Sequence, residues 1–261
     1  MRESTFAMLE KNAPAALGNR RDDRVSDKYS FIPTSRVVDI LEDQGWDLTF
    51  ARQVKSRTWS DETAKHHLSF RHQGLSRDDL AVGDSVPQIE LINAHNGLGT
   101  YRLLAGIFRF VCSNGMVVSE QDFASVTLRH IGFTEDQVIE ASNSVIEGVS
   151  RLSDVVDEWQ QLILTPDQKV EFATQAEEIR WGDDNNFKRG TFVENLLNVR
   201  READQRDDLW GVYNVVQENL LSGGFNHPNT NRRARSIKNI DKDISYNQQL
   251  WGVAREFAAL N

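Results

Sequence analysis

Cysteine, proline and long apolar runs are all scarce in this 261-residue chain. Its one cysteine, Cys112, leaves no internal disulfide framework and fits a reducing cytosol, so a cytoplasmic protein is expected. No apolar run approaches the ~20 residues that a membrane-spanning helix needs, and no membrane role is expected. The segment Met1 to Glu10 lacks the apolar stretch of a secretory signal. Gly-Lys-Ser, Gly-Lys-Thr and Gly-x-Gly-x-x-Gly are missing, which argues against nucleotide hydrolysis of the common kind. There is no His-Glu-x-x-His and no pair of cysteines. His66 and His72 share a strand face but lie ~20 Å apart, and His66 and His67 point to opposite faces. Neither a metal nor a cofactor is expected.

What is present suits a folded, acidic protein. Thirty Lys and Arg stand against 39 Asp and Glu, a formal charge of −9, which disfavours coating duplex DNA by bulk attraction but allows a local basic groove. Thirteen Phe and six Trp supply a sizeable core.

The patterning predicts an α+β fold. An N-terminal helix and an antiparallel β-meander come first, followed by an all-helical C-terminal half with one long helix. Residues 1–28 read as a flexible N-terminal arm, 29–132 as the α+β unit and 133–261 as the helical unit. Thr34 or Ser35 caps a short helix carrying Val37, Val38, Ile40 and Leu41, which Gly45 stops. Trp46, Leu48 and Phe50 then alternate with polar residues, and the return strand carries His66, Leu68, Phe70 and His72 on one face. Further strands are expected at 88–93, 101–104 and 107–112. Capping boxes at Thr134, Thr165 and Thr191 open helices, the last through about Arg201. Leu209 to Leu221, stopped by Gly223-Gly224, and Asp243 to Leu260 complete the set. The stripe from Val145 to Ile163 is nearly heptad in spacing, which suits packing against the chain's own sheet or against another copy.

Three sets of residues bear on function. If Trp46, Leu48 and Phe50 face the core, the opposite sheet face carries Lys55, Arg57, Trp59, His67 and Arg71, a set suited to stacking and neutralising a single-stranded nucleic acid. An ordinary solvent face would also carry Lys and Arg, and Arg52 on the nominal core face signals that a bulge can shift the phase. A second basic run, Arg232, Arg233, Arg235 and Lys238, reverses the sign of the chain locally and suits a phosphate backbone. Two Asn-Gly turns, Asn93 to Gly97 and Cys112 to Gly115, explain their glycines by turn geometry but do not explain His95 or Ser113. Cys112 ends an apolar strand and reads as a small buried hydrophobe rather than a nucleophile. Leu209-Trp210-Gly211-Val212 and Leu250-Trp251-Gly252-Val253 are near copies, in which glycine permits close helix packing.

Several of these residues carry a resemblance. Tyr29-x-Phe31-Ile32-Pro33-Thr34, Gly45-Trp46, His67-x-x-Phe70-Arg71, Asn93-x-His95-x-Gly97, Phe108-Arg109-x-Val111-Cys112-Ser113-Asn114-Gly115 and Tyr213-Asn214-x-x-Gln217-Glu218-Asn219 resemble the uncharacterised phage/plasmid-like family found on conjugative plasmids, prophages and phages. The resemblance runs from about Tyr29 to Leu260. It implies a mobile-element protein and transfers no catalytic residue, leaving Asn93, His95, Gly97, Arg109, Cys112, Asn114 and Gly115 as motif positions without a role. In architecture, a short helix, a Gly-Trp and a meander with a basic face resemble the phage single-strand annealing proteins of the Red-beta and Erf type. The expectation is a protein that binds single-stranded DNA, anneals it in recombination and assembles as a homo-oligomer. A non-enzymatic module binding a host defence protein is the alternative, and a metal-dependent nuclease or hydrolase using His95 is a third.

Overall fold

The computed structural model describes residues 1–25, 29, 31–55, 60–74, 85–109, 115–117, 126–128, 135–182, 188–227 and 231–260. The chain falls into two compact units: residues 1–81, 85–108 and 120–150 form the first, and 82–84, 109–119 and 151–261 the second.

The first unit begins with structure rather than with an arm. Helix α1 spans Glu3–Asn12 and a 3-10 turn spans Pro14–Leu17. Leu9, Ala13, Ala15 and Ala16 are fully buried. Long-range bonds, which leave no local periodicity to read, fix this segment. The Ala15 amide donates to the Gln53 side chain at 2.9 Å, and the Asp22 amide donates to the His95 carbonyl at 2.9 Å. Helix α2, Thr34–Asp43, then buries Val37, Val38, Ile40 and Leu41, and Gly45 leaves it at a φ of 85°.

The sheet follows as β1 (Trp46–Gln53), β2 (His66–His72), β3 (Ser85–Asn93) and β4 (Tyr101–Arg109). β1 is the edge strand, paired antiparallel to β2, and β2 is antiparallel to β3. One expected break is absent, because β4 runs straight through Gly106. The phase of β1 also shifts. A bulge lies between Leu48, which pairs with Phe70, and Phe50, which pairs with Ser69. Trp46, Leu48 and Ala51 are therefore buried, while Phe50 is 45% exposed.

In the second unit, β5 (Gly115–Val117) lies against α7 (Ile240–Leu260), while β6 (Val126–Leu128) belongs to the first unit, where it pairs antiparallel with β4. Helix α3, Glu135–Gln161, supplies its last turns here. Trp159 packs against Trp210, Tyr213 and Trp251, with ring centroids 6.2, 5.6 and 4.4 Å away. Val156 and Trp159 of the near-heptad stripe thus belong to this unit's own core. The capping box at Thr165 opens α4, Pro166–Trp181, with both reciprocal bonds formed. The Thr134 box lies outside the described residues. The box expected at Thr191 does not form, and α5 is only Val193–Leu196 instead of a helix to Arg201. The Thr191 hydroxyl donates to the Lys188 carbonyl instead, while buried Glu177 accepts the amides of Gly190 and Phe192. Helix α6, Leu209–Ser222, is capped by Asp208, which accepts the Gly211 amide at 2.9 Å. It stops at Gly223, where a Cβ would sit 2.6 Å from the Ala234 carbonyl oxygen. Among the described residues, no helix is long and apolar enough to cross a membrane.

Candidate nucleic-acid interface

The basic run after α6 is held in a hairpin. The Gly224 amide donates to the Ala234 carbonyl and the Ala234 amide to the Phe225 carbonyl, at 2.8 and 2.9 Å. The His227 amide donates to Arg232 and the Ile237 amide to Leu221, each at 2.8 Å. Arg180 reaches across to the carbonyls of Leu220 and Arg235, and Arg200 to that of Gly223. The anchors are backbone carbonyls, so the guanidinium charges of Arg180 and Arg200 add to the local field instead of cancelling it. Arg232, Arg233, Arg235 and Lys238 are all exposed. Among the described residues, no carboxylate forms an ion pair with Arg233, Arg235 or Lys238.

Phe225 and His227 of the hairpin join a cluster of aromatic rings, and sequence spacing gave no sign of it. Trp181 stacks on Phe192 with centroids 4.0 Å apart, and Phe225 lies 6.1 and 6.0 Å from those two rings. His227 meets Phe192 edge-on at 4.9 Å, and the Arg180 guanidinium lies 4.9 Å from the Trp181 ring centre. Phe192 is buried, while Trp181, Phe225 and His227 are half-buried. The residues come from α4, the turn before α5 and the hairpin, so only the folded chain joins them.

The sheet face differs from its sequence-based picture. Arg57 and Trp59 lie outside the described residues. Lys55 is exposed, two residues beyond the end of β1. In the observed register His67 pairs with Arg52 rather than lying beside Lys55. His67 is 7% exposed, so this part of the face is closed and not an open platform. Its Nε2 and the Ser69 hydroxyl both donate to Glu90 Oε2 at 2.6 Å, and Gln88 donates to the other Glu90 oxygen. Arg52 Nε donates to His67 Nδ1 at 3.3 Å. Arg71 pairs with Asp47 in register and is half-buried.

The motif positions of the first unit converge on a separate buried cluster. His66 Nδ1 donates to the Ala64 carbonyl at 3.0 Å, so its Nε2 accepts the Thr34 hydroxyl at 2.8 Å. Thr34 Oγ1 in turn accepts from the Asn93 amide at 3.0 Å. Thr34 therefore serves the histidine and does not cap α2. The His95 ring sits 5.2 Å from His66 and 4.7 Å from Phe31, and all of Thr34, His66, Asn93 and His95 are fully buried. Burial pushes the His66 pKa down to about 4. The Tyr29 hydroxyl donates to the Ala94 carbonyl, and burial lifts its pKa to about 12. Gly97 has a φ of 73°, and a Cβ there would meet Val25 at 2.5 Å. His95 is thus packed into the core. Gly115 begins β5 and Arg109 ends β4, while Cys112 and Asn114 lie outside the described residues. Among the described residues, no group of three His, Cys, Asp or Glu is placed to hold a metal ion.

These features describe an α+β protein in which His66, His67 and His95 are buried and the hairpin after α6 carries exposed cations. The chain belongs to the family of the domain of unknown function DUF932, whose model matches residues 23–251. It is similar to two Escherichia coli (strain K12) proteins, the UPF0380 protein YafZ and the UPF0380 protein YfjQ. Each is 33% identical over 257 residues, covering 97% of this chain and 89% of the relative. No solved structure matches the chain.

Proposed function

We propose that the protein binds single-stranded DNA through the hairpin of the second unit, and anneals strands in the recombination of phage or plasmid DNA as a homo-oligomer. The observation that carries this reading is the hairpin itself, with four exposed cations and with Phe225 and His227 joined to a cluster of partly exposed aromatic rings, in a chain of net charge −9. Phosphates meet the cations, and bases meet Phe225, His227 and Trp181. The likeness of the motif residues to a phage/plasmid family, and of the meander to the phage annealing proteins, supports the biological setting.

Fluorescence anisotropy with a labelled oligo(dT), titrated at several salt concentrations, tests it. Binding is expected to weaken with salt. Replacing Arg232, Arg233 and Arg235 by Ala removes about three phosphate contacts, so the salt slope falls by about 2 at roughly 0.7 per contact. Absence of binding by the wild type, or an unchanged slope in the triple variant, overturns the reading.

A further inference from the structure

The bulge in β1 exposes an aromatic ring that the alternating pattern assigns to the core. Phe50 stands on the edge strand, 45% exposed, although Trp46 and Leu48 before it and Ala51 after it are buried. Its ring is braced rather than loose. His67 meets it edge-on with centroids 5.9 Å apart, and the Arg52 guanidinium lies 5.9 Å from its centre. His67 is itself clamped by the 2.6 Å bond to buried Glu90, which Ser69 and Gln88 also hold. Four polar residues thus fix one exposed ring on a rigid strand, with one cation beside it and a second, Arg71, farther along the same face of β2. Two acids share that face: Asp47 is paired with Arg2 and accepts from Gln73, and Glu90 is buried and accepts from His67, Ser69 and Gln88.

We infer that Phe50 stacks a nucleobase of a single strand, with Arg52 and Arg71 serving the flanking phosphates. This inference rests on the single-strand reading and places a second contact in the sheet unit, separate from the hairpin. An aromatic face between cations suits a base between phosphates, because every base offers a π-face while the backbone repeats its negative charge. A bulge at a sheet edge is a common device for re-aiming a side chain toward a ligand.

The test compares oligo(dT) with an abasic oligonucleotide of equal length at one salt concentration. The full-length wild type should prefer oligo(dT) by about tenfold, the ratio given by ~1.4 kcal/mol of stacking. Phe50→Ala and Phe50→Leu should each shrink that preference severalfold with the salt slope unchanged, and Phe50→Tyr should keep it. The Leu variant retains an apolar contact with His67, so a loss common to both variants reports the aromatic face and not the fold. A preference undiminished in both variants, or a wild type that binds the abasic strand equally well, overturns the inference. If the wild type binds neither strand, the single-strand reading and this inference fall together. If it binds and only the Arg232/Arg233/Arg235 variant is impaired, the hairpin reading stands and the Phe50 contact falls.

Discussion

The polar face around Glu90 and the hairpin around Arg233 both gather several polar or charged side chains, yet the fold treats them in opposite ways. On the sheet, His67, Ser69, Gln88 and Glu90 are buried and bonded to one another, so each side chain answers for its neighbours. On the hairpin, Arg233, Arg235 and Lys238 stand in solvent without an ion pair among the described residues, while backbone bonds hold the two arms together. Buried polar groups act as a unit because a lost partner leaves the others desolvated and unsatisfied. Exposed ones act singly because water replaces any lost contact. A structural role is expected where coupling is strong, and a binding role where charge is kept available without it.

The largest effect should come from breaking the coupled set. Glu90→Ala leaves His67, Ser69 and Gln88 without their common acceptor inside the sheet, a loss of about 3 kcal/mol or more in urea unfolding. The Arg232/Arg233/Arg235→Ala variant should stay within about 0.5 kcal/mol of wild type in the same assay. Equal stability losses in the two variants would erase the contrast between coupled and uncoupled polar residues.

That contrast also marks what could be read in the sequence. Alternation and helical spacing located β1, α2 and α7, which bury one face and expose another, while the capping box marked α4 and the flanking glycines marked the end of α6, a helix buried all round. The basic run at Arg232 was equally visible, being local in sequence. The rest depends on pairing across distance. The order of residues 1–25 rests on bonds to Gln53 and His95, the bulge on how β1 meets β2, and the Thr191 segment on Glu177 from another helix. His66 and His95 lie 29 residues apart yet share one cluster, and neither spacing nor composition announces such a contact. Arg52 on the nominal core face was the one local sign of the bulge. The aromatic cluster that Phe225 and His227 join, drawn from three segments, left none.

A second, smaller effect separates the buried histidine from the exposed cations by pH. The folded-state pKa of His66 is lowered to about 4 from an ordinary value near 6.5, because burial disfavours the charged ring. Between those values the unfolded chain binds more protons than the folded one, so stability rises with pH. The contribution is fully present above about pH 6.5, and is lost progressively as pH falls toward 4, by at most about 1.4 kcal/mol per pH unit. Chemical denaturation at pH 7, 6 and 5 should show this slope, and a His66→Gln variant should lack that part of it. A variant with the wild-type slope would assign the acid sensitivity to other groups.

The smallest effect has the opposite sign and comes from the near-identical segments Leu209 to Val212 and Leu250 to Val253. The sequence alone suggests that both glycines allow close packing, but only one of them does. At Gly211 a Cβ would sit 2.6 Å from the Arg206 Cβ, in the chain that leads into α6, so Gly211→Ala must push that segment away. At Gly252, inside α7, nothing lies within 4 Å of the added carbon. Alanine is better than glycine in a helix interior because it loses less backbone entropy on folding. Gly252→Ala should therefore stabilise the protein by about 0.5–1 kcal/mol, while Gly211→Ala should destabilise it. Thermal unfolding of the two single variants decides the matter: if both lower the midpoint, the space at Gly252 is filled in solution, and the two copies are equivalent after all.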